Sequence, residues 1–172
     1  MVPGISHLRR KRSAEFRFYA ELNDYLPEAL RKTRFRHEFH GTPSVLDTVQ
    51  AIGVPHPEVD LVLVDGRSVG FSHRLHGGEQ VAVYPVFERL DISPVVRLRP
   101  APLRNTRFVL DGHLGKLARL LRMLGFDASW RADRDDEAII DRSLQQGRII
   151  LTRDVGLLKH GRVTHGYWLR SQ

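Results

Sequence analysis

With 172 residues, 41% of them hydrophobic, and a formal charge of +7 with a pI near 10.3, the chain can fill one medium or two small cores and favours a polyanionic partner. No apolar run approaches the ~20 residues that cross a bilayer, and no apolar segment follows the basic N-terminus, so neither a membrane span nor a secretory signal is expected. Cysteine is absent, which excludes disulfides and thiolate zinc sites within the chain and leaves a cytoplasmic location as the default expectation.

Residues 1–13 read as a flexible basic arm, with Pro3-Gly4 followed by His7, Arg9, Arg10, Lys11 and Arg12 and no apolar period. A second basic cluster runs through Arg31, Lys32, Arg34 and Arg36. Clusters of this kind bind phosphates without reading sequence. A first folded domain is expected over 14–88. Phe16 and Phe18 alternate with charges as in a strand, and the pattern returns around Phe35 and Phe39. Ser44 can cap a helix holding Val45, Leu46, Val49 and Ile52, which Gly53 ends and Pro55 and Pro57 keep from resuming. Val59 to Val64 is a strand, Asp65-Gly66 a turn, Val69 and Phe71 a short strand, and Val81 to Pro85 a last one.

Two strands, a helix and three strands make the β-grasp order. The stretch Leu63-Val64-Asp65-Gly66-Arg67, with Leu75-His76-Gly77-Gly78-Glu79-Gln80-Val81-Ala82-Val83-Tyr84-Pro85, resembles the end of the small ubiquitin-like sulfur carriers. Those carriers act through a free C-terminal Gly-Gly. Here Pro85-Val86-Phe87-Glu88 follows, so a binding or positioning module is expected instead. Residues 89–105, with Pro94, Pro100 and Pro102, read as a semi-rigid linker.

Arg107 to Leu110 is a short apolar strand ending at Asp111. Leu114, Leu117, Leu121 and Leu124 then share one helical face, with Lys116, Arg119 and Arg122 on others, and Gly125 is a suitable end. Phe126 to Trp130 returns as a strand, which begins a βαβ unit and hence a parallel sheet. Asp133-Arg134-Asp135-Asp136-Glu137 opens a helix closed by Gly147, and Arg148 to Leu151 is a strand ending at Thr152-Arg153-Asp154. Carboxylates thus stand after the first strand, at the head of the second helix and after the third strand. In a parallel α/β sheet those places face one crevice. A hard divalent cation with oxygen ligands suits such a pocket. Helix capping also explains any one of these acids taken alone.

The run Phe108 to Asp127, with Asp136-Glu137 and Gly147-Arg148-Ile149-Ile150-Leu151-Thr152-Arg153-Asp154, resembles the PIN-like ribonuclease family, in the branch named for the carboxy-terminal domain of the mutator-seven exonuclease. Its bacterial members commonly carry a ubiquitin-like domain in front. The resemblance implies an α/β fold: a β-grasp domain, then a PIN-like domain with a parallel sheet over 106–172. It implies an Mg2+- or Mn2+-dependent ribonuclease with Asp111, Asp136 and Asp154 as metal-holding catalytic residues. Asp135 remains an alternative to Asp136.

Thr152 would orient Asp154 or a metal-bound water, or cap the following turn. Lys116, Arg119 and Arg153 would meet RNA phosphates, with Arg153 nearest the pocket, while Arg9, Arg10, Lys11 and Arg12 would add affinity; a solvated helix face or surface ion pairs explain the first three equally. His113, Trp130 and Trp168 fit capping or packing. The implied partner is RNA, or a ribonucleoprotein such as the ribosome, and the rival is a catalytically silent RNA- or ribosome-binding adaptor. Family members usually run on past Val163 to Leu169 into a four-cysteine zinc ribbon, which is not in this sequence, so the PIN-like sheet is expected to be truncated.

Overall fold

The computed structural model describes residues 11–85 and 106–170, which fall into two compact units. The expected linker and the Arg9-Arg10 part of the arm lie outside the described residues.

In the first unit, a five-stranded mixed sheet runs in the order β2-β1-β5-β3-β4. Its strands are β1 (Lys11–Phe18), β2 (Phe35–His40), β3 (Val59–Val64), β4 (Arg67–Ser68) and β5 (Gln80–Pro85), with helix α1 (Val45–Ile52). Strand β1 pairs antiparallel with β2 and parallel with β5, the arrangement expected of a β-grasp. Ala14, Phe16 and Phe18 alternate inward from β1, and Val45 and Val49 of α1 are buried. Helix α1 starts in a full capping box: Ser44 Oγ accepts the Asp47 N–H and the Asp47 carboxylate accepts the Ser44 N–H.

Two details differ from expectation. Strand β1 begins at Lys11, so Lys11, Arg12 and Ser13 belong to the sheet and not to the arm. Pairing of Lys11 with His40 and Arg12 with Phe39 supplies hydrogen bonds that like-charged neighbours give no hint of. Strand β4 starts at Arg67 and not at Val69, because Asp65 and Gly66, both at positive φ, make a two-residue hairpin turn that returns the chain at once.

The second unit comprises 54–60, which takes in Val59 and Asp60 at the start of β3, together with the described C-terminal residues. Its four-stranded sheet is wholly parallel, in the order β7-β6-β8-β9. The strands are β6 (Arg107–Leu110), β7 (Asp127–Trp130), β8 (Ile149–Thr152) and β9 (Gly166–Trp168), connected through α2 (Gly115–Met123), α3 (Asp136–Gln146) and α4 (Val155–Lys159). Successive residues of β6 and β8 serve opposite faces. Val109 and Ile150 pack with Ile139 and Ile140 of α3 and Leu157 and Leu158 of α4, whereas Leu110 and Leu151 pack with Leu114, Ala118 and Ala128. Each such valine, leucine or isoleucine side chain contributes about 1.5–3 kcal/mol on burial. Gly147 ends α3 at φ 59, as its position in the sequence suggested. The expected apolar stripe of α2 is narrower than the leucine spacing implied, since Leu124 is 74% exposed. Among the described residues, no helix is long and apolar enough to cross a membrane.

Candidate active site

Strand order fixes the site. From β6 the chain crosses to β7 on one side, then returns past β6 to β8 on the other. The C-terminal ends of β6 and β8 therefore diverge at the point where connections leave in opposite directions, where open α/β sheets bind ligands. Asp111 follows β6 and Thr152 ends β8. Leu110 stands opposite Leu151, and the Asp111 N–H continues the ladder to the Leu151 carbonyl at 3.1 Å.

Thr152 is wholly buried, and its hydroxyl ties two segments together. It donates to Asp111 Oδ2 at 2.9 Å and accepts the Asp154 N–H at 2.9 Å. Asp111 also accepts the His113 N–H through Oδ1, at 3.4 Å, and Asp154 Oδ1 accepts the Gly156 N–H at 2.6 Å. Both acids thus cap the turns that follow them with one oxygen each.

Asp135 and Asp136 divide their work. Asp135 is the N-cap of α3 and accepts the Ala138 N–H at 2.8 Å. Asp136, the first residue of the helix, is exposed as a residue, yet reduced hydration of its carboxyl holds its pKa above the ordinary aspartate value. The charges of Asp154 and Asp111, and then of Asp135 and Glu137, push in the same direction. Asp136 therefore lies in the field of both other aspartates, though they come from separate segments. Close packing draws those segments together: a Cβ on Gly112 would meet the Ala132 carbonyl oxygen at 2.8 Å, and one on Gly115 would meet Trp130 Cζ2 at 2.7 Å. Trp130 also donates through Nε1 to the Gly112 carbonyl at 3.0 Å, so its role is packing.

Among the described residues, no group of three His, Cys, Asp or Glu side chains is drawn together tightly enough to hold one ion as a closed set. The donor chemistry nevertheless fits a hydrated hard cation. All three groups are carboxylates, and magnesium typically keeps several waters while using one or two carboxylates. The residues available to hold it are Asp111, Asp136 and Asp154.

Of the cations expected to meet RNA, Lys116 and Arg119 are exposed on α2 and Arg153 is exposed after β8. Lys11 pairs with Glu38 at 2.5 Å, and Arg12 packs over Gly77 in the first unit. Trp168 packs against the α3 side of the core and donates through Nε1 to the Arg153 carbonyl at 3.2 Å. The link from Thr152 to Asp111 was not foreseen, because it depends on the β6–β8 register.

The fold is a β-grasp domain together with a wholly parallel α/β domain. Comparison with known families agrees. Residues 11–91 match the Mut7-C ubiquitin model and residues 106–172 match the Mut7-C RNAse domain model. The chain belongs to the Mut7-C RNase family and carries that family's ubiquitin-like domain. Among solved structures it is similar to the crystal structure of SAMP1 from Haloferax volcanii, with 21% identity over 44% of this chain and 97% of that one, at a TM-score of 0.34. It is also similar to the solution structure of the Haloferax volcanii HVO 2177 protein, with 23% identity over 44% of this chain and 83% of that one, at a TM-score of 0.34. No curated protein matches the chain.

Proposed function

We propose that this protein is a ribonuclease that hydrolyses RNA phosphodiesters at Asp111, Asp136 and Asp154 with a bound Mg2+ or Mn2+. The observation that carries the reading is the buried Thr152 hydroxyl, which joins Asp111 and the backbone of Asp154 at neighbouring strand ends; burial first, and then the charges of those two acids, raise the Asp136 pKa. Membership of an RNase-domain family supports it. Such an ion supplies charge neutralisation at the phosphodiester and acidifies an attacking water.

The chain's own groups do the rest. Thr152 is a positioning residue: its buried hydroxyl fixes one oxygen of Asp111 and the backbone of Asp154 together. Asp136 is favoured over Asp135 as the third acid because the charges of Asp154 and Asp111 bear on its carboxyl. Lys116, Arg119 and Arg153 offer exposed charge to RNA phosphates, and Arg9, Arg10, Lys11 and Arg12 add salt-sensitive affinity. The β-grasp domain serves as a recruitment module toward RNA or a ribonucleoprotein such as the ribosome, in the cytoplasm.

One observation favours a second reading, a catalytically silent RNA-binding adaptor. No closed three-donor set exists among the described residues. A single experiment separates the two. Single-stranded and structured RNAs are incubated with Mg2+ or Mn2+, with and without EDTA, for the natural chain and for Asp111→Asn and Asp154→Asn. The nuclease reading expects metal-dependent products that both substitutions abolish. Intact RNA, with binding that is salt-sensitive and indifferent to metal, decides for the adaptor.

A further inference from the structure

The two flanks of α3 carry opposite charge. On one, Glu137 and Asp141 are matched by Arg162, which pairs with both, and by His160. On the other stand Arg134, in the turn before the helix, and Arg142, two turns along it. Among the described residues neither makes an ion pair, and the hydrogen-bond partner of Arg134 is neutral, Ser129 Oγ at 3.3 Å. The acids nearest this flank are already engaged: Asp127 with Arg148 at 2.8 Å and Asp133 with Arg131 at 3.3 Å.

This flank meets β7, the outer strand of the described sheet, through Arg134 at Ser129, and the charge of Arg142 acts on Asp127 at the start of that strand. From the opposite face Arg122 reaches the same strand and donates to the Ala128 carbonyl at 2.7 Å. At the start of β7 stands Phe126, 41% exposed and edge-on to Phe108 at 5.7 Å between centroids. At its other end, Arg134 precedes Asp136 by two residues. An exposed ring, a row of guanidinium groups and then carboxylates are therefore laid out along roughly 13 Å of strand. Guanidinium groups take phosphate oxygens in a bidentate fork. An exposed ring accepts a base only when that base is unpaired.

We propose that Phe126, Arg122, Arg142 and Arg134 form a track for single-stranded RNA along the β7 edge, which delivers the backbone to the aspartates. The destination rests on the nuclease reading; the binding does not. The track reads backbone charge and one stacked base, so it has little sequence preference.

The test is fluorescence anisotropy of the full chain with a labelled unpaired RNA about a dozen nucleotides long, in EDTA, across a salt series. Arg134→Gln with Arg142→Gln is expected to weaken binding about tenfold or more. The same pair should flatten the salt dependence by about 1.4 in log–log slope, at ~0.7 per phosphate lost. The lysine pair, Arg134→Lys with Arg142→Lys, should keep the slope. Phe126→Ala should weaken binding at unchanged slope, because stacking releases no counterions. Thermal melts matching the natural chain establish that each variant folds. An unchanged slope in the glutamine pair overturns the track, and equal affinity for a duplex of the same length overturns its single-strand preference.

Cleavage assays keep the two claims apart. Loss of cleavage in Asp154→Asn with unaltered binding in the glutamine pair removes the track and leaves the nuclease. Weakened binding in the glutamine pair with cleavage intact in Asp154→Asn does the reverse.

Discussion

Two aspartates at helix starts, one in each unit, sit in opposite circumstances. Asp47 in α1 accepts hydrogen bonds from the Ser44 hydroxyl and then the Ser44 backbone, which together hold its pKa below the ordinary aspartate value. Asp136 in α3 lies where hydration is reduced and other carboxylates press on it, and its pKa is raised. The first acid is satisfied within its own turn and stabilises the helix that bears it. The second is left in conflict, and the native state tolerates that conflict at the strand ends where a ligand would bind. Topology accounts for the difference: parallel crossovers collect the turns after several strands at one end of a sheet, and the mixed sheet of the first unit does not.

The contrast can be broken most severely at the site. Asp111→Asn and Asp154→Asn should each reduce RNA cleavage by at least about 100-fold, the scale of losing one preorganised charge in an active site. Asp47→Ala should leave the cleavage rate unchanged. Thr152→Val comes next: it removes the hydroxyl that joins Asp111 to Asp154 and leaves the Asp154 N–H without its partner. We expect a loss of about 1–3 kcal/mol in chemical denaturation, with slower turnover at saturating RNA. Asp47→Ala should cost about 0.5–1 kcal/mol through the lost cap.

The smallest effects carry opposite signs. The depressed pKa of Asp47 contributes stability above the ordinary aspartate pKa, which is lost as pH falls through the depressed value. The penalty of Asp47→Ala in thermal melts should therefore shrink in acid. Asp136 behaves inversely. Its raised pKa favours folding while the carboxyl is protonated, and that advantage is lost as pH rises through the raised value. Asp136→Asn should accordingly raise the melting temperature at neutral pH without metal, and the gain should vanish below the ordinary aspartate range.

Much of this was legible in the sequence because local signals agreed with the fold. The strands from Val59, Arg107 and Arg148 are bounded by turn residues, and Gly53 and Gly147 end their helices as expected. The placement of acids after β6 and β8 followed from reading a parallel sheet. Register was not legible. Only the pairing of Leu110 with Leu151 places Thr152 against Asp111. The strand at Lys11 was hidden as well, since its pairing with β2 overrides a run of like charge. The bare charge on one flank of α3 emerged only once Glu137 and Asp141 had found Arg162 on the other.

The most direct measurement is a titration of the isotopically labelled chain with Mn2+, followed by paramagnetic broadening of its amide signals. Broadening should centre on the turns at Asp111, Asp136 and Asp154, and Asp154→Asn should weaken it at all three. Broadening scattered over the acidic surface, or left unaltered by that substitution, would contradict a shared cation site.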